Sequence, residues 1–332
     1  MRIGVIGAGA VGTTVAALLA AAGHEVHVAA RRATAETIAA DGLHLDGAFG
    51  RHAVAVAADE RLPPGLDLAL CATQAHDAAA ALAANADALV ATSVVALQNG
   101  LGGVDTAARV LGGRRDVHGA LVLFAATGTA AGRAVATARG PVFVGAGSGW
   151  ASPASRRVAT ILASALPARA VDRFTGAQWA KLLVNHVNAL PAITGSSVQA
   201  VSRDPGLVRV LARSLREAVL VAERQRVRIT GLGPLRQVDV HALGHRPFDD
   251  AVDVARRLGH AFGPVPNPAS TLQAIRRGRR TEIDELNGRV ATLAAHHGID
   301  APVERTLTRL VHEVERSGRF LAPGAVVAAV SA

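Results

Sequence analysis

"RIGVIGAGAVGTTVAALLAAAGHEVHVAARR", residues 2–32, decides the fold class of this chain. Residues 2–6 are a short apolar run of strand type, and Gly7, Gly9 and Gly12 follow in the spacing G-x-G-x-x-G. An Ala/Leu-rich helix comes next and closes at Gly23, where a left-handed cap is expected. "EVHVAA" then reads as a second strand. A glycine pattern means little alone, but between a strand and a helix it marks a dinucleotide-binding turn. Gly7 permits the tight turn, Gly9 lets the backbone approach a pyrophosphate, and Gly12 lets the helix pack against the strand. With Ala8, Ala10 and Val11 they form the cradle, and the helix N-terminus offers N–H groups and positive dipole to phosphate.

The second strand ends in Ala29-Ala30-Arg31-Arg32. An NAD site usually carries an acidic residue there, to accept from the ribose 2′-hydroxyl. A cationic end suits a 2′-phosphate instead, with Arg31 forming a bidentate pair, so NADPH/NADP+ is the expected cofactor. The alternative is that one or both arginines are ordinary surface charges. Strand and helix patterns keep alternating. "LDLALCAT" (66–73) and "TSVVAL" (92–97) read as strands, and "GPVFVGAG" (140–147) as a further strand completing the sheet. Ligands in doubly wound sheets sit beyond the carboxyl ends of strands, which places Gln74 and Asn99 at ligand depth. The Asn99-Gly100 pair is equally compatible with an ordinary turn.

Half of the 332 residues are hydrophobic, mostly small aliphatics, with no Tyr, and the net charge is +9. A basic balance favours anionic partners. The arginines are scattered, and no aromatic residues interleave them as nucleic-acid stacking would require, so no nucleic-acid role is expected. The single Cys71 excludes an intramolecular disulfide and a Cys-based zinc site, and it lies in a strand as a small core residue. Adjacent His296 and His297 do not share a helix face, so no metal site is expected. No leader segment and no membrane span are read, and a cytoplasmic enzyme is the expectation.

From about residue 173 strand alternation ceases. The chain is therefore expected to be an α/β N-terminal Rossmann-like doubly wound sheet (residues 1–172) plus an all-α C-terminal domain (residues 173–332). "TGAQWAKLLVNHVNAL" (175–190) opens the second part. Trp179, Leu182, Leu183, Val184, Val187 and Leu190 cover most of its circumference. Lys181, Asn185 and Asn188 recur at i, i+4 and i+7 as one polar stripe, and Pro191 ends or kinks the helix. Such a stripe on an apolar helix either lines a cleft or belongs to a satisfied network between helices. Desolvation lowers the pKa of a lysine toward the range useful to a general acid.

"STLQAIRRGRRTEIDELNG" (270–288) reads as one helix whose apolar face carries Leu272, Ile275, Ile283 and Leu286, and Glu282 shares that face. A carboxylate turned inward needs a cation, a ligand or a role. Ser270 with Gln273 fits a capping box, and a cap position is also a place where a small anion meets free N–H groups. Asn267 precedes it in a Pro-bounded turn.

Taken together, "GAGAVG" (7–12), "ALQNGLG" (96–102), "QWAKLLVNHVNAL" (178–190), "NPASTLQAIRRGRRTEIDELNG" (267–288) and the following "HGIDAP" resemble the ketopantoate reductase (2-dehydropantoate 2-reductase) family. The resemblance implies an NADPH-binding Rossmann domain, a helical domain and catalysis in the cleft between them. It implies that Lys181 is the general acid that protonates the ketone oxygen, and that Glu282 contacts the substrate hydroxyl and sets the environment of the lysine. Asn99, Asn185, Asn267 and Ser270 match positions holding substrate or the nicotinamide end; in many members the counterpart of Asn188 comes one residue later. Gln74 stands where many members carry Lys, and the 230–265 segment exceeds that of a minimal member. Both bear on which 2-ketoacid is the small-molecule partner. Besides ketopantoate reduction, reduction of another 2-ketoacid or ketone and a non-catalytic NADP(H)-binding role are open, as is a homodimer.

Overall fold

The computed structural model describes residues 1–113 and 116–331. The chain forms two compact units, Met1–Phe174 and Thr175–Ala332.

The first unit contains β1 (Arg2–Ile6), β2 (Glu25–Ala29), β3 (Leu43–Gly47), β4 (His52–Val54), β5 (Ala57–Asp59), β6 (Leu68–Cys71), β7 (Ser93–Ala96), β8 (Val117–Val122), β9 (Ala125–Ala130), β10 (Arg133–Ala138), β11 (Val142–Gly145) and β12 (Ala168–Ala170). Its helices are α1 (Ala10–Ala21), α2 (Arg32–Asp41), α3 (Ala75–Ala84), α4 (Gly103–Val110) and α5 (Pro153–Ala163). Eight strands make one sheet in the order β12-β11-β8-β7-β6-β1-β2-β5. All its pairs are parallel except β11 with β8. β6 is buried along its whole length, as the continuous apolar run of a covered parallel sheet requires. The order reverses at β1, which lies between β2 and β6, so a crevice opens beyond the carboxyl ends of β1 and β6. α1 closes as expected: Gly23 has φ +88°, its N–H bonds Ala20 O at 3.0 Å, and the His24 N–H bonds Leu19 O at 3.1 Å.

A second sheet, β4-β3-β10-β9, was not foreseen. It covers the outer side of α1, whose buried Thr13 and Thr14 turn their hydroxyls back to Ala8 O and Ala10 O. The core is aliphatic, with Phe49 and Phe124 as its one edge-on aromatic pair among the described residues.

The second unit is helical: α6 (Phe174–Asn185), α7 (Ala189–Thr194), α8 (Val198–Arg203), α9 (Pro205–Arg224), α10 (Gln237–His245), α11 (Phe248–His260), α12 (Ala269–Arg276), α13 (Asn287–His296), α14 (Pro302–Ser317) and α15 (Pro323–Ser331). No strand occurs there among the described residues. α9 is the central rod. Asp204 caps it, accepting from the Gly206 and Leu207 N–H groups, and Pro205 occupies the first turn. α8, α10, α11, α14 and α15 pack around it. The long 230–265 segment is thus mostly α10 and α11. Asp239 on α10 bonds Arg236 and Arg257. Burial would raise its carboxyl, but those hydrogen bonds outweigh burial and hold it at about 2.

Three local expectations are corrected. Residues 270–288 are not one helix. α12 ends at Arg276, where Gly278 takes φ +60°, its N–H bonds Ile275 O, and the Arg279 N–H bonds Ala274 O. That left-handed glycine cap stops the helix, so a period carried through the glycine does not apply. Ser270 is not the cap: α12 begins at Ala269, with Pro268 before it. The stripe of Lys181, Asn185 and Asn188 is not on one straight helix either. α6 ends at Asn185 and residues 186–188 form a 3₁₀ turn. Pro191, in the first turn of α7, has no N–H to give the Val187 carbonyl, which places this kink just before the proline.

Candidate active site

In the first unit the glycine turn follows β1. Gly7 has φ +99°, a conformation that any side chain would strain. A Cβ on Gly12 would lie 1.9 Å from Gly7 O, so only glycine lets α1 start there. A Cβ on Gly9 would meet nothing within 4 Å. No side chain caps α1. The first turn of the helix therefore presents its N–H groups beside open space, which fits a phosphate. Ala8, Ala10 and Val11 line this partly exposed turn.

Arg31 and Arg32 follow β2 and differ in their pairing. Arg32 makes two hydrogen bonds to Glu60, at 3.1 and 2.9 Å. Arg31 is exposed and has no carboxylate partner among the described residues. Gln74 is exposed at the start of α3, and Asn99 is half-buried beyond β7. Gln98, not singled out from the sequence, joins those two strand ends. Its Nε2 donates to Cys71 O at 2.9 Å and to Thr73 O at 3.2 Å, and the side chain is almost wholly buried.

In the second unit Lys181 stands half-buried on α6. Its amine makes no hydrogen bond among the described residues, although an ammonium has three donors to place. Burial pulls the amine down to about 8, and the negative charge of Glu282 opposes that fall. Glu282 is half-buried immediately before a 3₁₀ turn, Ile283–Glu285, between α12 and α13. The helix face expected to carry it is therefore replaced by a turn.

Asn188 is buried and donates to the Ser270 hydroxyl at 3.3 Å. Asn185 is half-buried one turn after Lys181. The Asn267 carboxamide oxygen accepts from the Ala269 N–H at 2.8 Å, in a turn where Ala269 takes φ +61°. A non-glycine residue there costs roughly 1–2 kcal/mol and must be held by its surroundings. Gln199, also unforeseen, does much of the holding. Its Oε1 accepts from the Asn267 N–H at 2.9 Å while its Nε2 donates to Gly263 O and Val265 O. The fold thus couples Lys181 with Glu282, and joins Asn188, Ser270 and Asn267 through a strained turn.

Two family profiles span most of the chain: "Ketopantoate reductase PanE/ApbA" matches residues 3–149, and "Ketopantoate reductase PanE/ApbA C terminal" matches residues 173–315. A 2-dehydropantoate 2-reductase of Archaeoglobus fulgidus is 30% identical over 318 residues, covering 95% of this chain and 98% of that protein. The chain belongs to the ketopantoate reductase family. The crystal structure of a PanE/ApbA family ketopantoate reductase from Ralstonia eutropha JMP134 superposes with a TM-score of 0.78 at 31% identity, covering 95% of this chain and 99% of that one. A ternary structure of D-mandelate dehydrogenase with NADH and anilino(oxo)acetate has the same fold, with a TM-score of 0.80 at 21% identity, over 96% and 99% of the two chains.

For a member of the ketopantoate reductase family, one compositional fact points to Lys181 more directly than the helix stripe does. It is the only lysine among the 35 Lys and Arg residues. Guanidinium replaces amine at every other cationic position, although the two are similar as surface charges. They differ in that a guanidinium never releases its proton, whereas a desolvated amine can.

Proposed function

We propose that this chain reduces 2-dehydropantoate to (R)-pantoate with NADPH, using Lys181 as the general acid and Glu282 as its partner. The observation that carries this reading is the state of Lys181: the sole lysine of the chain, half-buried, its amine brought down to about 8 by burial with the charge of Glu282 acting against that fall. A general acid works best when its pKa lies near the working pH. At neutral pH this amine is about nine-tenths protonated, yet gives up its proton far more readily than a solvated lysine. Bound NADPH supplies the hydride. The first unit would hold it, with Gly7–Gly12 around the pyrophosphate, Arg31 at the 2′-phosphate, and Gln74 and Asn99 beyond the strand ends. In the second unit Asn185, Asn188, Asn267 and Ser270 would orient a polar 2-ketoacid toward the Lys181 proton.

Arg31 supports NADPH over NADH because it is the cation at the end of β2 left without a carboxylate. Arg31→Ala is expected to weaken NADPH binding by about 1.5–3 kcal/mol, the value of a hydrogen bond to a charged group, and to leave NADH binding nearly unchanged. Titration of both cofactors checks this, and equal losses refute the assignment.

The whole reading is tested by following loss of NADPH absorbance with ketopantoate and a panel of other 2-ketoacids. Turnover of ketopantoate supports it. Turnover confined to other acids moves the substrate and keeps the mechanism, and binding without turnover makes the chain a nucleotide-binding module.

A further inference from the structure

Glu282 has no helix of its own. It lies between the end of α12 and the start of α13, one residue before a three-residue turn. What fixes it comes from α14, far along the chain. The Thr281 N–H donates to Glu315 Oε1 at 2.7 Å. The other oxygen of that carboxylate lies 2.7 Å from His312 Nδ1, and His312 Nε2 lies 2.8 Å from Asp284 Oδ1. Arg280 reaches the second oxygen of Asp284 at 3.1 Å. The residue before Glu282 is thus tied to α14 directly through Glu315, the residue two after it through His312, and the imidazole joins the two ties.

We propose that His312 is a positioning residue: as an imidazolium bridging Asp284 and Glu315, it holds Glu282 where its charge acts on the Lys181 amine. The inference rests on the pairing of Lys181 with Glu282 proposed above.

Both ring nitrogens face carboxylate oxygens, and only the doubly protonated ring donates at both. The charges agree. Burial would lower His312, but hydrogen bonds and charge from Asp284 and Glu315 outweigh it and raise it. Burial would likewise raise the two carboxyls, and His312, with Arg280 at Asp284 and Thr281 at Glu315, holds them below their usual range. Among the described residues, the other charged groups lining the shallow pocket at the ring are Arg305, Arg309 and Arg316 of α14. α13 contributes only the uncharged Gly288, Ala291 and Thr292 to the same shallow pocket. Arg305 and Arg309 turn to Asp300 and Glu313, so Asp284 and Glu315 remain bound to the imidazole. Once His312 loses a proton it can donate to only one of the two carboxylates, and the link it makes between Asp284 and Glu315 is broken.

The test reads Lys181 itself. Because the chain has a single lysine, isotope-labelled lysine in the full-length protein gives one side-chain set of NMR signals, whose shift follows the titration of the amine. Glu282→Gln is expected to lower the wild-type midpoint, by about one pH unit, since the negative charge of Glu282 favours the protonated amine. His312→Ala is expected to move it the same way, by about half a unit or more. His312→Arg restores a fixed cation with several N–H donors and returns the midpoint toward wild type. Should His312→Ala not fold, Glu315→Gln, which weakens one arm alone, carries the same expectation. A midpoint that shifts in Glu282→Gln but not in the clamp variants overturns the role of His312 and leaves the pairing standing. A midpoint unmoved by Glu282→Gln removes the pairing, and the inference with it.

Discussion

Lys181→Ala is expected to lower turnover of a 2-ketoacid by about 10²–10⁴-fold, the usual contribution of a positioned acid, while NADPH still binds. The residue sits on α6 in the helical unit, whereas the glycine turn and Arg31, which we propose hold the cofactor, belong to the other unit. Lys181→Arg is expected to fail nearly as badly. It keeps the positive charge and length but presents a group whose pKa exceeds 12 and cannot supply a proton. Comparing the two variants separates proton donation from electrostatic attraction of an anionic substrate. The pH profile gives an independent check. In the proposed mechanism the acid is the protonated amine, and burial brings its pKa down to about 8, so the reductive rate should fall as pH rises through about 8. An alanine variant with wild-type turnover removes the lysine from the chemistry, whatever the substrate proves to be.

The parts of this molecule legible in its sequence are those whose causes are local. β1, the glycine turn and α1 could be read because each glycine answers to a neighbour a few residues away, such as Gly12 against Gly7 O. The helical character of the second unit was equally open, from apolar periodicity. The second sheet was not. β4 is three residues long, and β10 finds its partner β3 across about half of the first unit. Nothing in "RAVATA" announces that pairing. Glu282 shows where helix periodicity misleads. An inward carboxylate was expected from helix periodicity, yet Gly278 ends that helix, and Glu282 stands half-buried in a turn that α14 holds. Gln98, Gln199 and His312 were invisible for one shared reason. Each works by bridging segments distant in sequence, and a bridging side chain leaves no periodic trace.

Glu304→Ala is expected to cost about 3–5 kcal/mol of stability, the penalty for breaking a buried ion pair from one side. Glu304 on α14 and His186 in the 3₁₀ turn after α6 are both fully buried, with Glu304 Oε1 at 3.2 Å from His186 Nε2. Ser214 of α9 donates to the same oxygen at 2.7 Å, and Asn287, the first residue of α13, donates to the other at 2.9 Å. The network therefore joins four elements, including the turn that leads to Asn188 and the helix start that follows Glu282. His186 Nδ1 lies 2.7 Å from Leu182 O and must carry a proton to bond it, so a proton on Nε2 as well makes the ring cationic. Burial would lower His186, but the charge of Glu304 beside it, with the bond to Leu182 O, outweighs burial and the pKa is raised. Nearby, burial pushes Glu217 up from 4.5 to about 7, despite N–H bonds from Val303 and Glu304. Both shifts have the same consequence. The folded state binds protons that the unfolded chain has released, so stability is lost as pH rises through about 7 and on through the raised pKa of His186. Urea unfolding of the whole chain, followed by fluorescence, reads this unit selectively. Trp179 on α6 is 1% exposed, whereas Trp150 in the other unit is 79% exposed and changes little on unfolding. Glu304→Gln keeps one acceptor and the packing, and should lose less stability than the alanine variant along with part of the pH dependence. An alanine variant within about 1 kcal/mol of wild type, or a transition midpoint that stays constant from about pH 5 to about pH 8, would show that these buried charges do not hold the helical unit together.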